Sequence, residues 1–413
     1  MSLSKLPDAL TWLKTHTVKP SSRFWFFFIV GFPVISHIVG RILKQKWWLN
    51  DFDALICGAD YLRRGISPYA ASLACPGLKA PPYVYAPQVG EAIIPIIQTF
   101  GLLGTKALYI AVLVPALALM IWYALKRPFA NLPLHLRVVA YTVVSGSALT
   151  CGNIVVIFHA AALWAALNLH KSRWPFLLVV LVGTLIKPIF LTYLILFIYQ
   201  NKPVRERLAF AFTGAVIGIA SYILITKTAG PFYSEWQNAI YNITLIEQPG
   251  YSFFSWAGWI GLAATSPVTL ISFAFYFAIL SLCGLLICEI KNLSFEMRVL
   301  IGLGMAQLLN PRMMSYDMIY LPTIITGIIM VTQDLPGRSF WRLSWIITII
   351  GGASFILANA PIQGIKPADV VSPLFVCIIG YATYIVVKPR FKELKAALSN
   401  PVKILSDAAK GNI

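Results

Sequence analysis

Long apolar runs separated by short polar stretches dominate the chain. A helix crossing a bilayer core takes about 20 apolar residues, and such runs lie near 24–43, 104–125, 137–169, 174–200, 206–226, 267–288, 297–309, 316–333, 341–358 and 369–387. The pattern predicts an all-α polytopic membrane protein. The run 137–169 is too long for one helix and is interrupted at Cys151, Gly152 and Asn153, which predicts a pair of short helices. As one helix, 174–200 would bury Lys187 near mid-membrane, and one of its basic flanks, HKSR at 170–173 or QNKPVRER at 200–207, would face outward. A hairpin turning at Lys187-Pro188 keeps both flanks in the cytoplasm. By the same rule 83–103 is an interfacial or re-entrant segment. About twelve spans result, with both termini cytoplasmic. The expected organisation is one transmembrane domain over 1–413: a cytoplasmic N-terminus at 1–23, outer loops at 44–103 and 227–266, and a basic cytoplasmic tail at 388–413. That tail is amphipathic and suits the anionic inner leaflet.

Composition narrows the class. With 58% hydrophobic and 12% charged residues, the chain is excluded from the water-soluble enzymes, disordered tails and disulfide scaffolds. Lys and Arg number 33 against 15 Asp and Glu, a net charge of +18 that falls mostly in the cytoplasmic segments, so no nucleic-acid partner is expected. The six cysteines form no CxxC pair and no His-flanked ligand spacing, so no metal and no cofactor is expected. Pairing of Cys57 with Cys75 requires an oxidising compartment, and a buried free thiol at Cys57 is the simpler reading. The first apolar run is too long for a signal peptide and reads as a signal anchor.

This topology, set by loop charge alone, gathers Asp51, Asp53, Asp60, Arg63, Arg64, Asn153, Lys187, Glu235, Arg312 and Asp317 at the outer face. In WWLNDFDALICGADYLRRGISPY, Asn50 or Asp51 can cap a helix that Gly65 and Ser67-Pro68 end. Phe52, Leu55, Ile56, Ala59 and Leu62 form its apolar stripe, with Asp53, Asp60, Arg63 and Arg64 opposite, so an interfacial helix is expected. Two readings of these charges stand side by side. In the plainer one Asp51 is an N-cap, Asp53 a solvated first-turn acid, Lys187 and Arg312 reach for headgroups, and Asp317 pairs with Arg312. In the other, a base and two cations converge on an outward cavity suited to a lipid phosphate.

Five elements follow one another over roughly residues 20–335: DFDALICGADYLRRGISPY, YVYAP, CGN, GTLIKP and NPRMMSYDMIYLP. In type and order they resemble the GT-C glycosyltransferases, and within them glycosyltransferase family 87, the polyprenyl-phosphate-mannose-dependent mannosyltransferases. The chain departs from that pattern at Tyr85-Ala86-Pro87, where Tyr-Pro-Pro is usual, and at Tyr316-Asp317, where many relatives carry histidines. The resemblance implies a GT-C fold whose first outer loop, with interfacial helices, covers a cavity open to the outer leaflet of a bacterial inner membrane. It also implies a donor sugar, mannose, on a polyprenyl phosphate, and a catalytic base at Asp51. The acceptor would be a glycolipid, a polysaccharide or a protein.

The chemistry of such a transfer needs only one acid. A hydroxyl becomes a good nucleophile when a base takes its proton, whereas a phosphate leaves without a general acid. The paired carboxylates of a glycosidase are not required. Lys187 and Arg312 are the candidates to hold the leaving phosphate. Asp53 would orient Asp51 or bind the acceptor, and Asp317 would hold Arg312. Tyr69, Tyr85, Asn153, Glu235 and Tyr316 are further supporting or acceptor-binding candidates. The rival classes are a secondary transporter or lipid flippase, a transferase of another lipid-linked sugar such as a pentose or aminosugar, and a structural membrane subunit.

Overall fold

The computed structural model describes residues 48–70, 73–126, 150–314, 316–317 and 367–398, with Val39, Ile42, Leu43 and Ile328. The expected N-terminus at 1–23, the span at 341–358, and most of those at 24–43, 137–150 and 316–333 lie outside the described residues. In chain order the helices are α1 (Asn50–Arg63), α2 (Pro87–Glu91), α3 (Ile94–Lys126), α4 (Val155–Leu167) and α5 (Trp174–Ile186). A 3-10 segment (Pro188–Leu194) leads into α6 (Ile195–Tyr199), α7 (Val204–Lys227) and α8 (Tyr233–Ala239). A π-helical segment (Ile240–Glu247) precedes α9 (Phe253–Trp259), α10 (Pro267–Ile290), α11 (Phe295–Leu308), α12 (Pro367–Val387) and α13 (Phe391–Leu398). Among the described residues the only strand-like pairing is an isolated bridge between Leu73 and Ala80.

Among the described residues four stretches are long and apolar enough to cross a membrane: Ile94–Met120, Val204–Lys227, Pro267–Ile290 and Ser372–Glu393. Their large apolar side chains, among them Leu103, Phe212, Leu224, Phe275 and Ile279, are exposed. Water does not tolerate an apolar surface of that extent, whereas lipid does. The chain is an α-helical, membrane-embedded protein. Expected spans at 104–125, 206–226, 267–288 and 369–387 coincide with these helices.

The run 174–200 folds back on itself. In a continuous helix Phe176 and Phe197 would lie about 31 Å apart at 1.5 Å per residue, yet their ring centroids are 5.4 Å apart. The reversal is at Lys187, which is extended (φ −146°, ψ 122°) because Pro188 disfavours helix at the residue before it. The two basic flanks consequently meet at one end of the bundle, where Arg173 pairs with Glu206 at 2.6 Å. Leu177 and Leu194, from opposite arms of the hairpin, both pack on Gly214 of α7. α4 and α5 are 13 residues each, about 20 Å long and so short of a roughly 30 Å hydrocarbon core. Gly101, at φ 68° and ψ 176°, breaks α3 and separates the 83–103 segment from the helix after it.

Two expectations about α1 are corrected. Its bounds match the sequence, but its N-cap is Leu49, in the left-handed region (φ 59°, ψ 33°), with no side-chain cap from Asn50 or Asp51. α1 also lacks the expected wet face over this stretch: Phe52 through Asp60 are all buried. Phe52 stacks on Tyr109 of α3 at 3.8 Å, and Asp60 folds back onto Arg63 and Arg64 at 2.7 and 3.1 Å. Of the apolar stripe, Phe52 meets α3, and Ala59 and Leu62 lie against Gly90 of α2. The loop after α1 wraps the opposite face, held by a disulfide between Cys57 and Cys75, which overturns the free-thiol reading of Cys57.

Candidate functional site

The site lies at the end of the bundle opposite the Arg173–Glu206 pair, where several elements are interrupted together. The break at Cys151-Gly152-Asn153 packs directly on Leu49. Thr150 O accepts from Leu49 N at 2.9 Å, and Gly152 has φ +69° with space so tight that a Cβ would sit 2.7 Å from Leu49 Cα. Only glycine meets both demands. Leu49 in turn holds a conformation that costs an L-residue about 1–2 kcal/mol. This contact turns Asp51 towards Asn153.

Asn153 Nδ2 donates to Asp51 Oδ2 at 2.9 Å. The amide's orientation is fixed by its other end: Asn153 Oδ1 accepts from Tyr85 Oη at 3.4 Å and Val155 N at 3.2 Å, so the donor side must face Asp51. Tyr109 Oη donates to the Asn153 carbonyl at 3.2 Å. Burial, and next the Asp51 carboxylate, push the Tyr85 phenol well above its ordinary pKa, so it remains a donor. Its backbone carbonyl accepts from Tyr69 Oη at 2.8 Å. Tyr69 likewise stays protonated, through burial first and then the nearby Tyr83, Glu235 and Glu91.

The cations come from the hairpin apex and from the loop after α11. Lys187 Nζ donates to Tyr316 Oη at 2.9 Å and lies 4.6 Å from that ring's centroid. It stands within electrostatic reach of Asp317, Arg312 and Asp51, as Tyr316 does of Asp317, Asp51, Arg312 and Tyr85. Arg312 Nε donates to the carbonyls of Thr244 and Gln248 at 2.7 and 2.9 Å. Neither Arg312 Nη bonds another described residue. Of the sequence-derived candidates, Asp51, Asn153, Tyr85, Lys187, Arg312, Tyr316 and Asp317 therefore share one neighbourhood.

Comparison with protein-family models, curated proteins and solved structures returns no match. The chemistry of the site is accordingly read from its own geometry.

Three candidates sit otherwise than expected. Asp53 does not orient Asp51. It is fully buried, its Oδ1 paired with Lys106 Nζ at 2.6 Å and its Oδ2 accepting from Lys79 N at 3.3 Å. Asp317 does not hold Arg312: its Oδ1 meets His159 Nε2 at 3.2 Å and its Oδ2 accepts from Met314 N at 2.9 Å, because the 314–317 turn points the carboxylate towards α4. Glu235 bonds the Ser67 hydroxyl. With Trp236 Nε1 donating to Val84 O at 3.3 Å and Gln88 Nε2 to Thr228 Oγ1 at 3.0 Å, it ties the second large loop to the first.

His159, Tyr193, Tyr109 and Lys106 were not singled out from the sequence. For His159 a signal existed: it is the only ionisable side chain in VVIFHAAALWAAL, and an ionisable group inside an apolar membrane helix points to function. Hydropathy averages conceal it.

The arrangement offers a half-buried carboxylate, Asp51, that accepts from the Asn153 amide and stands within electrostatic reach of Lys187. A proton can be taken at Asp51, and negative charge can be held at Lys187 and Arg312. Asp53 lacks that capacity because Lys106 occupies it.

Proposed function

We propose that this protein is a GT-C-type glycosyltransferase of the bacterial inner membrane, with about twelve spans and its site facing the periplasm. It transfers a sugar, mannose by the resemblance to family 87, from a polyprenyl-phosphate donor to a hydroxyl of a glycolipid, polysaccharide or protein acceptor. The observation that carries this reading is that Lys187 stands within electrostatic reach of both Asp51 and Arg312, each more than a hundred residues from it in sequence. Asp51 takes the acceptor hydroxyl's proton as that oxygen attacks the anomeric carbon. The carbon–oxygen bond to phosphate breaks, and polyprenyl phosphate leaves with the bonding electrons, its charge held by Lys187 and the free Arg312 nitrogens. One direct displacement inverts the anomeric centre. The Cys57–Cys75 disulfide beside Asp51 supports the outward placement, since disulfides persist in oxidising compartments.

The test is transfer of radiolabelled mannose from synthetic polyprenyl-phosphate-mannose by purified protein, with membrane lipid extract as acceptor, wild type beside Asp51→Asn. Removing a general base is expected to cost about 10²–10⁴-fold without unfolding the protein. Equal rates would remove Asp51 from catalysis. A second reading, a secondary transporter or lipid flippase, draws on the placement of buried charge at the interrupted helices around Gly152 and Lys187. Uptake or flipping by folded protein that shows no transfer with any lipid-linked sugar would favour it.

A further inference from the structure

Lys187 and Tyr316 sit on separate elements, and their 2.9 Å contact exists only while both elements are held in register. One side chain touches both supports. His159, 1% exposed on α4, meets Asp317 Oδ1 through Nε2 at 3.2 Å and Tyr193 Oη through Nδ1 at 2.7 Å. Asp317 adjoins Tyr316 and closes their turn itself, with Oδ2 accepting from Met314 N at 2.9 Å and its own N donating to Met314 O at 2.9 Å. Tyr193 belongs to the 3-10 segment that begins directly after Lys187. We propose that His159 is a positioning residue for the donor-phosphate site: it clamps the Tyr316-bearing turn, through Asp317, against the Lys187-bearing hairpin, through Tyr193. This inference rests on the reading of Lys187 as a phosphate-binding cation.

The Asp317 contact fixes one hydrogen on the ring. An ionised Asp317 can only accept, so His159 Nε2 carries the hydrogen. Nδ1 meets the Tyr193 hydroxyl, a group able both to donate and to accept. Were the position merely core, an aliphatic side chain would fill it without the cost of burying two ring nitrogens. Both nitrogens are instead spent on the two elements whose register the Lys187–Tyr316 contact needs. The hydrogen bonds to Asp317 and Tyr193 carry its effect to Tyr316 and Lys187.

The chemistry of the clamp selects the variants. In His159→Gln the side-chain amide places its NH2 near the former Nε2 and can still donate to Asp317. In His159→Asn the amide reaches only the Nδ1 position and leaves Asp317 without that donor. Detergent-purified wild type and both variants are assayed for transfer and for binding of a synthetic polyprenyl phosphate, the latter independent of turnover. His159→Gln, which keeps the Asp317 jaw and gives up the Tyr193 contact, is expected to lose about three- to tenfold in both assays. His159→Asn is expected to lose roughly a hundredfold in kcat/KM for the donor, the scale of an ångström-sized misplacement, and to bind polyprenyl phosphate correspondingly more weakly, with the acceptor KM unchanged. A purely structural role would treat Gln and Asn alike and move both KM values with the melting temperature, and that result would overturn the proposal. If wild type binds the lipid phosphate in this His159-dependent manner but transfers no sugar, the clamp stands and the transferase reading falls. If wild type transfers sugar and both variants match it, the reverse holds. Lipid phosphate that does not bind to wild type at all would overturn the clamp. Should His159→Asn fail to fold, Tyr193→Phe releases the other jaw, and unchanged lipid-phosphate affinity there would also overturn it.

Discussion

The two ends of α11 each present an arginine, and the two are treated oppositely. At the start of the helix Arg298 is almost fully buried. It donates to the carbonyls of Leu293, Tyr199 and Cys288 at 2.8, 2.9 and 3.1 Å and pairs with Glu289 at 2.6 Å, an acid that also pairs with Arg207. All three guanidinium nitrogens are engaged. Beyond the other end Arg312 is half-buried, and only its Nε is used, on Thr244 O and Gln248 O. The chain thus carries a cation consumed by its own carbonyls at one end and a cation with donors in reserve at the other, about 20 Å away. The first is a structural node that joins α6, α10 and α11. The second is anchored by one nitrogen and keeps the bidentate pair suited to a phosphate.

The sharpest way to break this contrast is to cut both side chains to methionine. Arg298→Met strips donors from three buried carbonyls and one partner from Glu289, and is expected to destabilise the protein by about 3–5 kcal/mol. Arg312→Met is expected to leave the melting temperature within a few degrees while transfer and lipid-phosphate binding fall by roughly 10–100-fold. Thermal unfolding in detergent beside the transfer assay separates the two. Equal losses of stability would make Arg312 a second structural node.

A smaller effect tests how the Asp51 end is held together. There the staple is covalent, since Cys57 and Cys75 close a loop across a sequence separation of 18 residues. Opening it is expected to cost about 3 kcal/mol. Cys57→Ala with Cys75→Ala is the appropriate pair, because a serine hydroxyl at the buried Cys57 would add a second penalty. The double variant, or wild type treated with reductant, should unfold at lower temperature and lose transfer, while the Arg298 end stays protected from proteolysis. Unchanged stability under reductant would show that packing of Tyr83 and Tyr85 suffices.

What the sequence made legible followed from charge and helix length. Two basic flanks around 174–200 demanded the hairpin, and Cys151-Gly152-Asn153 marked the second break, so Asn153 and Lys187 fell at one end without any knowledge of contacts. The direction a side chain takes on a helix buried from all sides was not legible. Asp53 lies on the face opposite the apolar stripe, which in water would make it solvated. Here the loop after α1 and Lys106 of α3 cover that face. The Leu49 cap was hidden for a related reason, since its left-handed backbone is imposed by the 150–152 segment, a hundred residues distant. His159 went unmarked because its partners, Asp317 and Tyr193, lie 158 and 34 residues away.

The smallest expected effect refines what it means for a cation to be held in reserve. The Lys187 ammonium has a single described hydrogen bond, to the Tyr316 hydroxyl, and also rests against that ring. Tyr316→Phe removes the hydroxyl and keeps the ring, so the cation–π contact survives. Losing one hydrogen bond to an ammonium costs about 1.5 kcal/mol, and polyprenyl-phosphate binding is expected to weaken about tenfold because Lys187 is no longer set in place before the lipid arrives. Tighter binding would carry the opposite lesson: the hydroxyl competes with phosphate for the ammonium, and Tyr316 restrains Lys187 rather than presenting it. Measured beside Arg312→Met, the sign of this change separates a cation kept ready by its neighbours from one that its neighbours hold back.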